Sequence, residues 1–365
     1  MIGVLCIGDW IARMSTSEHA LAFLCAYAES GDGGLLAYQQ DQSTGELTET
    51  ARHSIDAASF LAIDAGARYL YSVNRIDGGV VIAHEIASET GELREINRTS
   101  SGGVGPAYVS VDPLGAYVFV ANYAGGSIAL YPIRDDGGLD PASHVIDHEG
   151  SSVDSDRQEG PHPHSIVPDP AGQFVYVPDL GTDDVWIYAI DRDADELTPA
   201  SESRAPLASG AGPRHLDFHP TQPIMYVINE LDSTISTFRR DTDTGALSHV
   251  DTCTTLPPDA DGESYCADIH VHPAGEWVYG SNRGHDSIAV FTVEADGSLT
   301  SIEHTPCGGE WPRNFAIDPV GQYLYVENRH SDTIVSFAID DETGTLEPTD
   351  AVTQVPEPIC LVFVD

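Results

Sequence analysis

Along most of the chain, apolar and polar residues alternate with a period of two, in short runs such as Ala116-Tyr-Val-Phe-Val-Ala-Asn122 and Gln322-Tyr-Leu-Tyr-Val-Glu-Asn328. Alternation of this kind, rich in β-branched and aromatic residues and bounded by Gly, Pro and Asp, predicts β-strands. The runs recur. An aromatic residue is followed three positions later by Asn or Asp at Tyr71/Asn74, Phe119/Asn122, Tyr176/Asp179, Tyr226/Asn229, Tyr279/Asn282 and Tyr325/Asn328, a period of about 50 residues. One period before Tyr71 lies Phe23, which makes seven copies.

Each copy repeats one grammar. A first strand ends at an acidic or His residue that opens a Pro-x-Gly turn: Asp112, Asp169, His272 and Asp318. The aromatic run follows, then a third run such as Ser287-Ile-Ala-Val-Phe-Thr-Val293. A turn built on Gly and Leu comes next (Gly45/Leu47, Gly245/Leu247, Gly297/Leu299, Gly344/Leu346), and then a weaker fourth strand. Four strands per repeat without a helical pattern predict an all-β seven-bladed propeller with four-stranded antiparallel blades. A propeller must close, because an open ring leaves a bare strand edge. The first copy begins at Ala20 on its second strand, and Ile359-Cys-Leu-Val-Phe-Val-Asp365 reads as the missing first strand. The C-terminal strand is therefore expected to close the ring. Residues 20–365 form one propeller domain in this reading. Residues 1–19 are an N-terminal extension, of which Met1–Arg13 (too short to span a membrane, without a basic start) carries no role in the fold.

Charge changes what such a ring can bind. The formal net charge is −42, from 58 Asp and Glu against 16 basic residues, and every basic residue is Arg. A chain that is 41% hydrophobic with regularly placed aromatics is not a disordered acidic tail. The composition predicts a folded protein adapted to high salt, where self-repulsion is screened to ~3 Å at about 1 M, and points to a halophilic archaeal source. It argues against a nucleic-acid partner, since no basic stripe can displace counterions. The cysteines at 6, 25, 253, 266, 307 and 360 form no CxxC pair, which suits buried thiols in a reducing, cytoplasmic setting. No apolar run is long enough for a membrane helix, and no sequence feature sets an oligomeric state.

Candidate chemistry lies at one mouth of the channel, where first strands begin and second strands end. The position five before the turn residue reads Ser59, Ala107, His164, Arg214, Ala267 and Arg313, with Cys360 from the closing strand. The position after the aromatic-x-x-Asn element reads Arg75, Tyr123, Leu180, Glu230, Arg283 and Arg329. Five of the 16 Arg fall in these places, so the mouth is predicted to be basic on an acidic protein. Guanidinium forks suit carboxylate or phosphate, and the expected ligand is a small anionic molecule. His164 and Glu230 are candidates for proton transfer, Arg214 and Arg283 for oxyanion stabilisation, and Arg313, Arg75 and Arg329 for holding the anion. Asn122 and Tyr123 are further substrate contacts. His270 and His272 share a strand face, but no third metal ligand accompanies them, and neither a metal nor a cofactor is expected.

Gly212-Pro-Arg-His-Leu-Asp-Phe-His-Pro220, Tyr226-Val-Ile-Asn-Glu230, Ala121-Asn-Tyr123, Pro163-His-Ser165, Ala267-Asp-Ile-His270, Asn282-Arg283 and Trp311-Pro-Arg313 resemble the seven-bladed lactonase family. That family includes propeller-type 6-phosphogluconolactonases and the fungal carboxymuconate-lactonizing enzyme. The resemblance covers about Ala20 to Asp365, and Pro178-Asp179-Leu180 departs from the family pattern. It implies that His164, Arg214, Glu230 and Arg283 are active-site positions, with Arg313 as a further basic contact. Three activities are compatible: metal-independent hydrolysis of an anionic sugar lactone such as 6-phosphogluconolactone, lactone formation by a cycloisomerase, or ligand and protein binding without catalysis.

Overall fold

The computed structural model describes residues 19–27, 33–76, 78–87 and 89–364. Most of the expected N-terminal extension, Met1–Arg13 included, lies outside the described residues. The described residues form 28 strands, β1 to β28, in seven four-stranded antiparallel sheets, and no helix is found among them. The ring is closed as the repeat requires. Blade 1 joins β28 (Pro358–Phe363), β1 (His19–Ala26), β2 (Gly34–Asp41) and β3 (Leu47–His53) in that order. Phe23 pairs with Val362 and Cys25 with Cys360.

The inner strands of the other blades are β4 (Ala58–Ile63), β8 (Pro106–Val111), β12 (Val167–Pro168), β16 (Pro213–Phe218), β20 (Tyr265–Val271) and β24 (Pro312–Ile317). Beside them run β5 (Tyr69–Asn74), β9 (Tyr117–Asn122), β13 (Phe174–Asp179), β17 (Ile224–Asn229), β21 (Trp277–Arg283) and β25 (Tyr323–Asn328). The apolar core lies between blades. Seven clusters each span two neighbours, as Tyr279, Ile288, Phe315 and Leu324 do for blades 6 and 7. Both faces of each sheet are therefore buried, and the alternation reads as apolar on the second and third strands throughout.

The recurring residues bind one blade to the next. The buried hydroxyls of Tyr71, Tyr176, Tyr226 and Tyr279 donate to the carbonyls of Gly137, Gly245, Gly297 and Gly344 in the following blade, at 2.9 to 3.0 Å. Those four glycines have φ between 72° and 92°, a conformation that favours Gly. The aromatic and the turn glycine are thus two halves of one contact. Turn residues Asp169 and Asp318 accept two backbone N–H bonds each through Oδ1, and His219 does the same through Nδ1. Either residue type supplies the acceptor, which explains why Asp and His alternate there.

Closure has a testable cost. Ile359, Leu361 and Phe363 are at least nine-tenths buried, and burying each such side chain is worth about 1.5–3 kcal/mol. Together with the β1 edge they cover, this rivals a net stability of about 5–15 kcal/mol. Truncation after Glu357 is expected to abolish cooperative unfolding and leave aggregated protein, read by size exclusion and thermal melts.

Candidate active site

The inner strands carry a bulge near the mouth. Pro213 pairs with Asn229 and His215 with Ile228, so Arg214 is the extra residue; Ser59, Ala107 and Arg313 are extra in the same way. A bulge re-aims side chains, and here it turns the extra residue into the channel. Just before the inner strand, the chain takes a left-handed turn at Ala57, Gly105, Gly212, Trp311 and Glu357, with φ between 40° and 64°. The residue just after the second strand donates its N–H back across this turn, as Glu230 does to Gly212 (2.7 Å) and Arg329 to Trp311 (3.1 Å). The two sequence positions chosen for the mouth are thereby brought together. In the closing strand the extra residue is Ile359, because Cys360 pairs with Cys25. Counting back from Asp365 misplaces this position by one residue; Ile359, not Cys360, lines the channel cavity with His164, Arg214 and Arg313.

Glu230 is the electrostatic centre. Its Oε2 is 3.1 Å from Arg214 Nε and 2.9 Å from Arg283 Nη2, and its Oε1 is 2.5 Å from Arg157 Nη2. Burial alone would raise its pKa; the guanidiniums of Arg283, Arg214 and Arg157 outweigh that and hold the carboxyl far below its usual range. Glu230 is a fixed anion. Arg214 is 2% exposed, and burial, then the charge of Arg283, lowers its pKa to about 10. Its Nη1 bonds the Ala267 carbonyl and His215 Nε2, and among the described residues Nη2 has no hydrogen-bond partner. Arg283 also donates to the Cys266 carbonyl at 2.7 Å and lies 5.5 Å from the Trp311 ring.

Arg313 differs from these. Among the described residues it has no ion pair, while Arg214, Arg283, Arg75 and Arg329 all oppose its charge. Burial first, and then those four guanidiniums, push its pKa well below the usual Arg value. Arg75 is exposed at the rim, and its Nε donates to the Pro106 carbonyl at 3.5 Å. Arg329 is paired with Glu357, at 3.0 and 2.7 Å.

His164 is buried in the channel wall. Its backbone N–H donates to the Pro178 carbonyl, and its Nδ1 has no partner among the described residues. Burial, then Arg214, keeps the imidazole pKa well below its usual value, so the ring is neutral. Tyr123 stands edge-on to it at 5.2 Å and stacks on His162 at 4.6 Å. No hydrogen bond joins His164 to Glu230. Asn122, an expected substrate contact, is fully buried; its Nδ2 donates to the Ser101 carbonyl (2.9 Å) and the Ser127 hydroxyl (3.3 Å), while its Oδ1 has no partner among the described residues. His270 and His272 are likewise engaged elsewhere: His270 Nε2 with Asp268 Oδ2 at 3.1 Å, His272 Nε2 with the Gly321 carbonyl at 2.9 Å. In blade 4, Asp179 replaces the repeated Asn and binds buried His148 Nδ1 at 2.7 Å, which accounts for the departure at Pro178-Asp179-Leu180.

The family model described as Lactonase, 7-bladed beta-propeller, matches residues 22–363. The chain belongs to this family. A 6-phosphogluconolactonase of Bacillus subtilis is 33% identical to this lactonase-family chain over 347 residues, 94% of this chain and 98% of the relative. One from Formosa agariphila is 34% identical, covering 81% of this chain and 85% of its own. Among solved structures, a putative 6-phosphogluconolactonase of Bacteroides fragilis superposes with a TM-score of 0.90 at 33% identity, covering 96% of this chain and 99% of its own. A periplasmic gluconolactonase of Pseudomonas aeruginosa gives 0.89 at 29%, covering 95% and 99%.

Arg157 escaped the repeat reading. It lies in the connection between β11 (His144–Asp147) and β12, outside any repeat position. Fully buried Gln158 anchors that connection through the Leu180 carbonyl (2.8 Å) and Asp183 Oδ1 (2.7 Å), which sets Arg157 over Glu230. Tyr27, under the Arg329 guanidinium at 5.4 Å, completes the second mouth position in blade 1.

Proposed function

We propose that this lactonase-family protein hydrolyses an anionic sugar lactone, with 6-phosphogluconolactone as the substrate that fits best. The observation that carries the reading is Arg313: a guanidinium at the channel mouth among four others, with no acidic partner among the described residues. A phosphate or carboxylate supplies the missing counter-charge. Arg75 and Arg329 flank the anion, and the names borne by the relatives support a lactone as its carrier.

Arg214 Nη2, unpartnered among the described residues, donates to the lactone carbonyl oxygen as it gains charge. Water attacks the carbonyl carbon and passes its proton to neutral His164. The tetrahedral intermediate then collapses, the ring C–O bond breaks, and the leaving alkoxide takes that proton back. Glu230, ion-paired to three Arg, is the poorer base and serves to hold Arg214 and Arg283. Binding of an anion at Arg313 weakens the field that opposes imidazolium at His164, so a charged substrate strengthens the base that attacks it. No step in this scheme needs a metal or cofactor. The composition supports work in the cytoplasm of a halophile.

Arg313→Ala is the test. It is expected to lower kcat/KM for 6-phosphogluconolactone by about 10²-fold and to change that for uncharged gluconolactone far less. Equal losses on both substrates would remove Arg313 from anion recognition.

A further inference from the structure

One residue inward from the mouth, the channel has a second layer. The bulge turns both its extra residue and the next one inward, so Phe60, Tyr108, His215, Asp268 and Asn314 meet beneath the Arg cluster. Phe60 and Tyr108 stack at 4.2 Å and both stand edge-on to His215, at 5.8 and 5.1 Å. His215 Nδ1 is 2.6 Å from Asp268 Oδ1, and His215 Nε2 is 3.1 Å from Arg214 Nη1. Asp268 Oδ2 in turn takes bonds from the Asn314 amide and from His270 Nε2. His215, Asp268 and Asn314 are all more than nine-tenths buried.

Chemistry assigns the proton. A guanidinium can only donate, and an ionised carboxylate can only accept. His215 therefore carries hydrogen on Nδ1 and offers the Nε2 lone pair to Arg214. With Glu230 holding Nε and the Ala267 carbonyl sharing Nη1, this lone pair fixes the plane of the guanidinium and the direction of Nη2.

We infer that His215 and Asp268 are positioning residues: Asp268 sets the tautomer of His215, and His215 aims Arg214 at the lactone carbonyl. This rests on the lactonase reading for its catalytic consequence and on geometry alone for the tautomer. A 180° flip of the ring would set carbon against both Asp268 Oδ1 and Arg214 Nη1, so these two hydrogen bonds select the orientation. Burial, with Arg214 next, lowers its pKa to about 4, so the lone pair is present throughout the neutral range.

Two substitutions separate the roles. In His215→Asn the amide N–H replaces Nδ1–H toward Asp268, but no acceptor reaches Arg214. In His215→Gln the amide oxygen reaches the place of Nε2. His215→Asn is expected to lower kcat roughly 10- to 100-fold with little change in KM, as a misaimed group does, and His215→Gln to recover most of that loss. In an Arg214→Ala background, His215→Asn is expected to add nothing, since coupled residues are non-additive. Additive losses, or equal losses in the Asn and Gln variants, would overturn the inference. The ¹⁵N resonances of the wild-type His215 ring at neutral pH read the tautomer without any turnover: Nδ1–H supports the arrangement and Nε2–H overturns it. An Nδ1–H ring in a protein that opens no lactone supports the geometry and counts against the lactonase reading.

Discussion

Arg214→Ala is expected to lower turnover of 6-phosphogluconolactone by roughly 10²-fold or more, the loss typical of removing one oxyanion donor. Three contacts hold this side chain: Glu230 at Nε, and the Ala267 carbonyl with His215 Nε2 at Nη1. A group fixed to this degree by its own protein costs no reorganisation when charge develops on the substrate. Glu230 keeps Arg283 and Arg157 as counter-charges in the variant, so the loss should appear in kcat more than in melting temperature. Steady-state kinetics beside a thermal melt checks this. An unchanged kcat removes Arg214 from the chemistry.

Glu230→Gln is expected to destabilise the fold by about 3–5 kcal/mol, as breaking a buried ion pair does when charge is left uncompensated. Arg214 and Arg283 are nearly fully buried, and both lean on one carboxylate oxygen. The sign of the pH effect follows. The folded-state pKa of Glu230 lies far below that of the unfolded chain, ~4.3. Its stabilisation is therefore present above pH ~4.3 and is lost as pH falls toward the folded value. Urea unfolding at fixed molar KCl should show wild-type stability declining on acidification below pH ~4–5, with a shallower decline in the Gln variant. A variant as stable as wild type would mean that solvent, rather than Glu230, neutralises the cluster.

The ring was legible because its signals are repeated seven times. The Tyr-to-Gly bond between blades forces an aromatic and a turn glycine into every copy that uses it, and the closing strand shows the same apolar alternation as the other inner strands. The mouth was legible in outline because Arg is scarce and its clustering stands out. Bulges set the limit. Period-2 alternation places the neighbour of a channel-facing residue on a blade face, yet the bulge at Arg214 turns His215 inward as well. The layer of His215, Asp268 and Asn314 was hidden for that reason, and the Cys360/Ile359 offset arises at the same feature. Arg157 was hidden for another: it reaches Glu230 from a connection with no counterpart in other blades. Asn122 shows the limit of adjacency in sequence: it stands beside Tyr123, yet its Nδ2 is taken by a buried strand-end contact with the Ser101 carbonyl.

Hydrolysis of 6-phosphogluconolactone measures the central claim directly, at about 1–2 M KCl, where the Debye length is ~3 Å or less and the acidic surface is screened. Wild type would be compared with a His164→Ala, Glu230→Ala double variant, each corrected for spontaneous ring opening. A wild-type rate well above background that vanishes in the folded variant, and that exceeds the rate on the unphosphorylated lactone, is the result expected. Folded wild-type protein that opens neither lactone faster than background would contradict the account and turn the mouth into a binding or cyclising site.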